Sequence, residues 1–329
     1  MQERELACLA FTRRGAALAE RLCRALGGRA DCTRDLPAFS LSRWTEEQFG
    51  ADRALVFVGA AGIAVRAVAP LLRSKVTDPP VVALDEGGRF VVPLVSGHLG
   101  GANELAREIA RLCGGTAVIT TATDLNGLFA VDLWAKRQGL TLCQPERIKT
   151  VSGRLLAGET IRVRSRWPVA GTPPEGVELA SCDEDVTVDV RPGAGLCLAP
   201  PVLTLGVGCR RGTRRETLEE QFARFCAQRS VLPQAVCAAA SIDRKREEAG
   251  LLAFCETHGW RTRFYTAAEL EDAPGTFTPS DFVRRTVGVD NVCERAAALA
   301  GGGLLERKYA QGGVTFALSL GEVQLDWSW

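Results

Sequence analysis

The sequence predicts an α/β protein whose sheets are mainly parallel and covered by helices. Short apolar stretches such as ALVFV (54–58) and FVVPLV (90–95) alternate with stretches whose apolar residues recur at helical spacing. Strands that are apolar along their whole length are typical of sheets buried on both faces, and their alternation with helices favours parallel pairing. We therefore expect an N-terminal three-layer domain built on a parallel sheet.

The length and a change in composition predict three regions. A chain of 329 residues exceeds one ordinary domain. We expect residues 1–139 to form the N-terminal α/β domain, residues 140–201 a small, mainly β middle region with a linker, and residues 202–329 a C-terminal α/β domain. In the middle region TIRVRS and VTVDV alternate between apolar and polar residues, which is typical of half-buried strands.

The N-terminal elements follow from apolar runs and turn signals. LACLAF is an expected strand, and AALAERLCRAL is the helix after it. Beyond residues 54–58 we expect a helix after GAAG, a helix at ANELAREIARLC and a strand at TAVITT (116–121). LDEGGRF has the composition of a hairpin turn, with Asp85 and Glu86 exposed to solvent.

Capping residues predict five helix starts in the C-terminal region. They are Thr213 with Glu216, Asp243, Thr266 with Glu269, Thr278 followed by Pro279, and Asp290. AVCAAAS, LLERK and VTFALSL are expected strands. The final EVQLDWSW has no recognisable partner and is expected to be a loose tail.

The composition excludes several classes of protein. With 40 Lys and Arg against 39 Asp and Glu the net charge is +1, so no overall field attracts nucleic acid or an anionic membrane. The 12 cysteines include no CxxC pair, which favours a reducing cytoplasm over a disulfide scaffold. Two histidines without a Cys/His cluster do not suggest a metal site built by the protein. No apolar run suggests a membrane span, so we expect a cytoplasmic protein.

The first candidate site is the turn Gly59-Ala60-Ala61-Gly62, which follows a strand and begins a helix. Small residues there let backbone amides approach an anion at the helix N-terminus. Arg66 is about one turn further and is placed to reach the same anion. The alternatives are a tight turn that simply needs glycine and a solvated arginine.

The second candidate is the loop Ser96-Gly97-His98-Leu99-Gly100-Gly101, with Asn103 and Glu104 in the helix after it. It follows a strand at the end where open α/β sheets bind ligands. A histidine there both accepts and donates protons near neutral pH. We expect the histidine, amide and carboxylate to face one cleft.

Asp124 and Asn126 follow the next predicted strand and are expected on the rim of the same cleft. The alternative for His98 is a histidine that binds only loop backbone, although loops at strand ends carry chemistry disproportionately. His258 stands at the end of a predicted helix and is expected to interact with helix carbonyls.

The third candidate is GVGCRRGTRRE (206–216), where four arginines crowd a helix N-terminus. The helix macrodipole disfavours positive charge there, and a bound anion relieves the conflict. Gly208, Arg210, Arg211 and Thr213 are therefore candidate ligand-binding residues. The alternative is a solvent-exposed surface on which nearby glutamates pair with the arginines.

Long motifs of the chain resemble one known family. The motifs are GAAGIAVRAVAPLLRSKVTDPPVVALDE, VVPLVSGHLGGANELA, ITTATDLNGLFAVDLWA, GVGCRRGT, ASIDRKREEAGL and TPSDFVRRTVGVDNVCERAAALA. In these motifs the sequence resembles the CbiG family, the cobalt-precorrin-5A hydrolases of anaerobic cobalamin biosynthesis. The resemblance covers most of residues 50–140 and 203–318, and neither the middle region nor the tail carries a matching motif.

The resemblance implies a hydrolase that opens the lactone of a cobalt-containing tetrapyrrole. Expulsion of ring carbon C20 with its methyl group then releases acetaldehyde and gives cobalt-precorrin-5B. We choose His98 as the general base, with Glu104 as its orienting partner or as a second acid/base. Backbone amides of the GAAG or HLGG loop are expected to stabilise the oxyanion.

The implied substrate is anionic, since it carries acetate and propionate arms. Candidate clamps for these carboxylates are Arg66, Lys75, Arg210 and Arg211. Cobalt arrives with the substrate, so neither a separate cofactor nor a protein metal site is expected. We expect no nucleic-acid or membrane partner, while a homo-oligomer and transient contacts with neighbouring pathway enzymes stay open.

Two other functions stay open on the sequence. One is a non-catalytic carrier or chaperone for a corrinoid intermediate, since a stand-alone relative of the C-terminal region occurs where this hydrolysis does not. The other is a nucleotide- or sugar-phosphate-binding enzyme that uses the glycine loops.

Overall fold

The strands and helices form the predicted α/β fold. The computed structural model describes residues 4–74 and 77–329, and the chain divides into two compact units between Leu133 and Trp134. Within the described residues the strands form sheets of six, five and five strands and one two-stranded pairing. The predicted class and its three regions are confirmed, whereas the boundaries at 139/140 and 201/202 stay predictions.

The first unit contains the six-stranded sheet. Its elements are β1 (Leu6–Ala10), α1 (Arg13–Leu26), β2 (Gly28–Cys32), α2 (Leu41–Gly50), β3 (Ala54–Val58), α3 (Ala61–Val68), β4 (Val81–Leu84), β5 (Phe90–Val95), α4 (Ala102–Cys113), β6 (Thr116–Ala117) and α5 (Ala122–Leu125). The strand order is β2-β1-β3-β4-β5-β6. The next helix, α6 (Val131–Arg137), spans the division between the units.

Helices cover both faces of this sheet, which explains its continuously apolar strands. In β1, Cys8 and Ala10 pack in one core with residues of α1 and α4. Ala7 and Leu9 pack in a second core with residues of α2 and α3. Because successive side chains of a strand point to opposite faces, both sets of positions must be apolar.

One strand of the otherwise mainly parallel sheet is antiparallel to its neighbour, as the predicted hairpin turn at LDEGGRF requires. β5 pairs antiparallel with β4, with Val81 beside Val95 and Leu84 beside Val91. The connection is a turn in which the Asp85 carboxylate accepts from the amides of Gly87 and Phe90, at 2.9 and 2.7 Å. A parallel crossover needs a dozen or more residues, so this short turn imposes antiparallel pairing. The strand predicted at residues 116–121 is confined to Thr116–Ala117.

The middle of the chain forms a second, mostly parallel sheet. The elements of this part of the chain are β7 (Thr141–Leu142), α7 (Ile148–Leu156), β8 (Ile161–Ser165), β9 (Val169–Ala170), β10 (Val177–Leu179), β11 (Val186–Val188) and β12 (Leu196–Ala199). The strand order is β10-β8-β11-β12-β7, and β7 alone in this sheet pairs antiparallel to its neighbour within the described residues.

The C-terminal region forms a third sheet, ordered β15-β14-β13-β17-β16. Its elements are β13 (Leu203–Cys209), α8 (Arg215–Arg229), β14 (Val236–Ile242), α9 (Ala249–Thr257), β15 (Arg261–Tyr265), α10 (Ala267–Glu271), α11 (Asp281–Val287), α12 (Cys293–Gly301), β16 (Leu304–Gln311) and β17 (Val314–Leu320). β13, β14 and β15 are parallel, and β17 runs antiparallel to β13.

Two predicted capping pairs have different outcomes. Thr266 and Glu269 form the reciprocal capping box that the sequence predicts for α10. Thr213 does not cap α8, which begins at Arg215 without a side-chain cap. Its hydroxyl donates instead to the carbonyl of Arg210 at 2.8 Å. Because the Thr213 hydroxyl is hydrogen-bonded within the turn before α8, it is not available to cap that helix.

Asp243 begins only a short 3-10 turn, Asp243–Lys245, and α9 begins at Ala249. Two further predicted helix starts are displaced by tertiary partners. Thr278 donates through its amide and its hydroxyl to the buried Glu294 carboxylate, each at 2.8 Å, and α11 begins three residues later. Asp290 forms an ion pair with Arg295 at 3.0 Å, and α12 begins at Cys293. Side chains suited to capping serve here as hydrogen-bonding partners between elements.

The C-terminal tail is ordered, so the expectation of a loose tail is wrong. A short strand, β18 (Leu325–Asp326), pairs in parallel with β9. Trp327 is buried and stacks on Trp134 with ring centroids 5.2 Å apart. Nε1 of Trp134 donates to the Asp326 carbonyl at 2.6 Å. The sequence hides this contact because the paired strands have two residues each and stand far apart along the chain.

We predict that Trp327→Ala lowers the free energy of unfolding by about 3–5 kcal/mol, the cost of removing a large aromatic side chain from a packed core. Urea denaturation followed by circular dichroism measures the loss. Trp329→Ala is the control within the tail, because that side chain is 38% exposed. Equal stabilities of the two variants would contradict a packing role for Trp327.

Candidate active site

His98 lies between two carboxylates in the first unit. Nε2 of its ring is 2.6 Å from Oδ2 of Asp124, and Nδ1 is 3.3 Å from Oδ2 of Asp132. The side chains of His98, Asp124 and Asp132 are 15%, 11% and 9% exposed, so the cluster is shielded but reachable from solvent. Both ring nitrogens therefore face a carboxylate oxygen.

A tight loop after β5 positions His98. Ser96 adopts a left-handed backbone with a φ of 57°, and its hydroxyl donates to the Asp78 carbonyl at 2.7 Å. A Cβ on Gly100 would lie 2.3 Å from the Cβ of Ser96, so glycine is required there. Gly101, also left-handed, is the N-cap of α4. The small residues let the chain turn sharply enough to present the imidazole at the strand end.

A second group of donors holds Asp124. Nη2 of Arg107 donates to Oδ1 at 2.6 Å, and Nδ2 of Asn103 donates to Oδ2 at 3.0 Å. Asn103 is buried and also donates to Oγ1 of Thr121 at 3.1 Å. Asn103 and Arg107 are four residues apart on α4, so one helix face presents both donors. These donors stabilise the ionised carboxylate.

The carboxylates raise the pKa of His98 above its ordinary value of about 6.5. The hydrogen bond to Asp132 is the largest cause, burial opposes it, and Asp124 adds to the increase. Burial works to raise the pKa of Asp124, but hydrogen bonds from Arg107 and His98 outweigh it and lower that pKa. A neutral imidazole has one N–H and cannot donate to both carboxylates. The imidazolium form therefore fits the site best.

A cleft in the second unit contains part of the third candidate motif. Gly208, Arg210 and Arg211 line a cavity of about 1110 Å³ at the carboxyl end of β13. Thr213 stands just beyond it, with its hydroxyl bonded to the Arg210 carbonyl. The cleft therefore contains both arginines that the sequence selects.

Three family models match consecutive parts of the chain: cobalamin synthesis G N-terminal at residues 43–124, cobalamin biosynthesis central region at 129–198 and cobalamin synthesis G C-terminus at 203–319. The cobalt-precorrin-5A hydrolase of Salmonella typhimurium strain LT2 is 35% identical over 295 residues, which cover 83% of this chain and 84% of the relative. The chain belongs to the CbiG family. The family's cobalt-precorrin-5A hydrolase from Priestia megaterium is 32% identical over 299 residues, 83% of this chain and 79% of the relative.

One solved structure aligns with nearly the whole chain. The cobalamin biosynthesis protein G homologue from Sulfolobus solfataricus covers 97% of this chain and 98% of its own, at 22% sequence identity and a TM-score of 0.40.

In this CbiG chain the structure joins three of the predicted site residues and leaves Glu104 outside their network. His98, Asn103 and Asp124 form one network, as the strand-end argument predicts. Glu104 is exposed, and its carboxylate has no hydrogen bond or ion pair to another described residue. It is turned by about 100° from Asn103 around α4. Its expected role as orienting partner of His98 is wrong, because Asp124 and Asp132 occupy that position.

Sequence reasoning missed Asp132 entirely. This residue lies at the start of α6, inside the apolar stretch FAVDLWA, and is buried with Phe129 and Trp134. Burial of a carboxylate among apolar side chains is unfavourable unless a partner compensates it. A lone acid in an otherwise buried run is therefore the signal that could have indicated a functional pairing.

The GAAG turn and the loop that carries His98 lie at opposite ends of the six-stranded sheet. Gly59 follows β3 and lies beside Leu84, whereas Ser96 follows β5 and lies beside Val81. A Cβ on Gly59 would lie 2.7 Å from the Phe11 ring, and the Gly59 amide donates to the Leu84 carbonyl at 2.9 Å. The turn thus matches the alternative interpretation, a close packing site, and Gly59 offers no free oxyanion donor.

The remaining predicted residues are placed as follows. Gly62 and Arg66 are exposed on α3. Nδ2 of Asn126 donates to the Ala122 carbonyl at the surface, at 2.8 Å. The Gly101 amide donates to the His98 carbonyl at 2.9 Å, so it too is engaged rather than free for an oxyanion. Lys75 lies outside the described residues.

His258 interacts with side chains rather than with helix carbonyls. Its Nε2 lies 2.9 Å from Oε2 of Glu219, and its ring stacks on Trp260 with centroids 4.3 Å apart. The expectation of carbonyl partners is therefore corrected, and the residue lies in an aromatic cluster of the C-terminal region.

Neither a membrane span nor a metal cluster is found in residues 4–74 and 77–329. Their helices lack the combination of length and apolar character that crossing a bilayer requires. The same residues contain no group of three or more His, Cys, Asp or Glu side chains arranged to hold a metal ion.

We predict that His98 makes stability depend on pH. A folded-state pKa raised above the unfolded value stabilises the fold fully below about pH 6.5, and this contribution is lost as pH rises through the folded pKa. The unfolding free energy of the wild type minus that of His98→Gln, measured by urea denaturation, should therefore decrease with increasing pH. Arg66→Gln is the control, since arginine does not titrate in this range. A difference for His98→Gln that is constant or grows with pH would contradict the assigned interaction.

Proposed function

We propose that the protein hydrolyses the lactone of cobalt-precorrin-5A, a step of cobalamin biosynthesis. The proposal rests mainly on sequence identity: over four-fifths of its length the chain is 35% and 32% identical to two proteins named cobalt-precorrin-5A hydrolase. The His98 cluster supports it by supplying the kind of acid/base group that hydrolysis needs.

The reaction has two steps with opposite proton demands. Water adds to the lactone carbonyl, the carbon–oxygen bond breaks, and the oxygen on C20 takes up a proton while the surplus proton of water goes to solvent. The new hydroxyl then loses its proton as C20 leaves with its methyl group as acetaldehyde. The electron pair of the broken carbon–carbon bond passes into the conjugated ring. One group that first gives and then takes a proton serves both steps.

We assign this role to His98. Because the two aspartates favour the imidazolium, the residue begins as an acid and not as the base that its sequence position alone suggested. The transferred proton is the one on Nδ1, since its 3.3 Å contact to Asp132 is longer than the 2.6 Å contact of Nε2 to Asp124 and is more easily exchanged for a substrate oxygen. The imidazole left after the first step is the base for the second.

Asp124 holds the ring while the proton moves. Its 2.6 Å contact to Nε2 fixes the orientation of the imidazole, and Arg107 and Asn103 fix the carboxylate in turn. Asp132 raises the affinity of His98 for its proton. The two acids are thus assigned different tasks, orientation for Asp124 and control of the pKa for Asp132.

The substrate brings its own cobalt, held by the ring nitrogens, so the proposed chemistry requires no separate cofactor. Its acetate and propionate arms require cations, and Arg66, Lys75, Arg210 and Arg211 stay our proposed clamps. A non-catalytic carrier would have to bind the same compound, but it would have no need of a histidine held between two shielded carboxylates. We therefore favour the hydrolase over the carrier.

We predict that the purified protein releases acetaldehyde from cobalt-precorrin-5A, detected as a hydrazone. His98→Gln should lower the rate by at least about a hundredfold, the usual contribution of general acid–base catalysis, with affinity changed only a few-fold. Glu104→Gln is the matched control on the neighbouring helix and should retain activity. Tight binding by the wild type without acetaldehyde would overturn the hydrolase and favour the carrier.

We also predict an alkaline limb in the pH profile of kcat/KM. The first step uses the imidazolium, so activity should fall as pH rises through the raised pKa of His98. Asp132→Asn removes the largest cause of that increase, and the limb should move to lower pH. A limb that does not move in this variant, or a rate that rises through this range, would contradict the acid role.

A further inference from the structure

The cleft of the C-terminal region is a built cavity whose residues take no part in the proton transfers proposed at His98. It has a volume of about 1110 Å³, which is ample for a large organic ligand. Cys209, the last residue of β13, and Ile242, the last of β14, both line it, and Val314 faces Cys209 across the sheet. The cleft therefore opens at the carboxyl ends of parallel strands, where α/β sheets bind ligands.

Basic side chains dominate the rim of this cleft. The charged lining residues are Arg210, Arg211, Arg244, Lys245 and Lys308 against Glu247 and Glu248. Lys245 is neutralised by Glu248 at 2.8 Å, and Nη1 of Arg244 donates to the Thr286 carbonyl at 3.1 Å. Within the described ranges, the side chains of Arg210, Arg211 and Lys308 have no hydrogen bond or ion pair. These three cations are available to an anionic ligand.

Lys308 differs from the two arginines in its burial. It is half-buried on β16, whereas Arg210 and Arg211 are exposed. A cation beside the partly enclosed wall of a cavity attracts an anion more strongly than one surrounded by water. Lys308 is therefore expected to contribute more to the binding of a ligand carboxylate than either exposed arginine.

The interior of the cleft is apolar or already hydrogen-bonded. Val283, Val287 and Val292 line its wall. The buried Ser241 donates to the Val207 carbonyl at 2.7 Å. The buried Asn291 donates to the Thr278 carbonyl at 2.9 Å and accepts from the Glu294 amide at 2.9 Å. The interior therefore suits an apolar ring, and specificity for charge resides in the basic rim.

We propose that this cleft is a binding site for an apolar ring that carries several carboxylates, with Lys308 and Arg211 binding the carboxylates. The identity of the ring as a tetrapyrrole rests on the proposed function, while the preference for an apolar body with carboxylate arms rests on the cleft itself. Because the unpaired cations lie on the rim, affinity at this site should increase with the number of carboxylate arms on the ring.

The test uses the full chain and two metal-free porphyrins, with binding followed by porphyrin fluorescence at fixed ionic strength. Uroporphyrin carries both acetate and propionate arms, whereas coproporphyrin lacks the acetate arms. We expect uroporphyrin to bind more tightly and its affinity to fall as salt is added. Equal affinities for the two porphyrins, or displacement of uroporphyrin by inorganic phosphate at constant ionic strength, would overturn the proposal.

Matched variants locate the binding. Lys308→Gln and Arg211→Gln should each weaken uroporphyrin binding by roughly tenfold, the usual effect of losing one hydrogen bond to a charged group. Arg261→Gln removes an exposed arginine of the same sheet that does not line the cleft, and its affinity should be unchanged. Equal losses in all three variants would indicate attraction by overall charge and overturn the site. Arg211 is exposed, so its variant tests the site even if Lys308→Gln impairs folding.

The activity of the same variants separates this site from the proposed function. If His98→Gln abolishes acetaldehyde release and still binds uroporphyrin like the wild type, the cleft binds ligand independently of the chemistry. Unchanged uroporphyrin affinity in both cleft variants overturns the cleft site and leaves the hydrolase intact. Absence of turnover in the wild type with porphyrin binding retained overturns the hydrolase and leaves the cleft site intact.

Discussion

The contact of one imidazole with two carboxylates determines which charges and hydrogen-bond donors the rest of the N-terminal site must contain. Because both ring nitrogens of His98 face aspartate oxygens, the arrangement is favourable when the ring carries both protons. Keeping Asp124 ionised in a shielded pocket then requires further donors, which Arg107 and Asn103 supply. The small residues of the loop and the helix that follows it serve this charge arrangement.

The direction of β5 determines where this site can form. The short turn after β4 reverses the chain, so the loop with His98 lies at the opposite end of the sheet from the GAAG turn. β6 runs parallel to β5, and its following segment therefore brings Asp124 to the same end as His98. The glycines of the two loops consequently have different tasks, close packing at Gly59 and a sharp turn at Gly100.

The sequence predicts those features that depend on local patterns. Apolar strands, amphipathic helices and the position of His98 at a strand end follow from periodicity, and the meeting of His98 with Asp124 follows from neighbouring strands. The error at Glu104 was avoidable, since helical spacing places Asn103 and Arg107, not Glu104, on the face toward Asp124. The apolar stretch around Asp132 marks this residue as an unusual buried acid, but no local pattern identifies His98 as its partner or Trp134 as the partner of Trp327, because both contacts are distant in sequence.

The proposed chemistry depends on His98 being an imidazolium, and an NMR titration of the His98 ring measures this protonation state directly. The chain has two histidines, so selective ¹⁵N-histidine labelling with His98→Gln for assignment isolates the ring signals. Both nitrogens of His98 should remain protonated well above the ordinary pKa of about 6.5, and Asp132→Asn should lower the midpoint. A His98 midpoint at or below the ordinary value, or one unaffected by Asp132→Asn, would contradict this expectation.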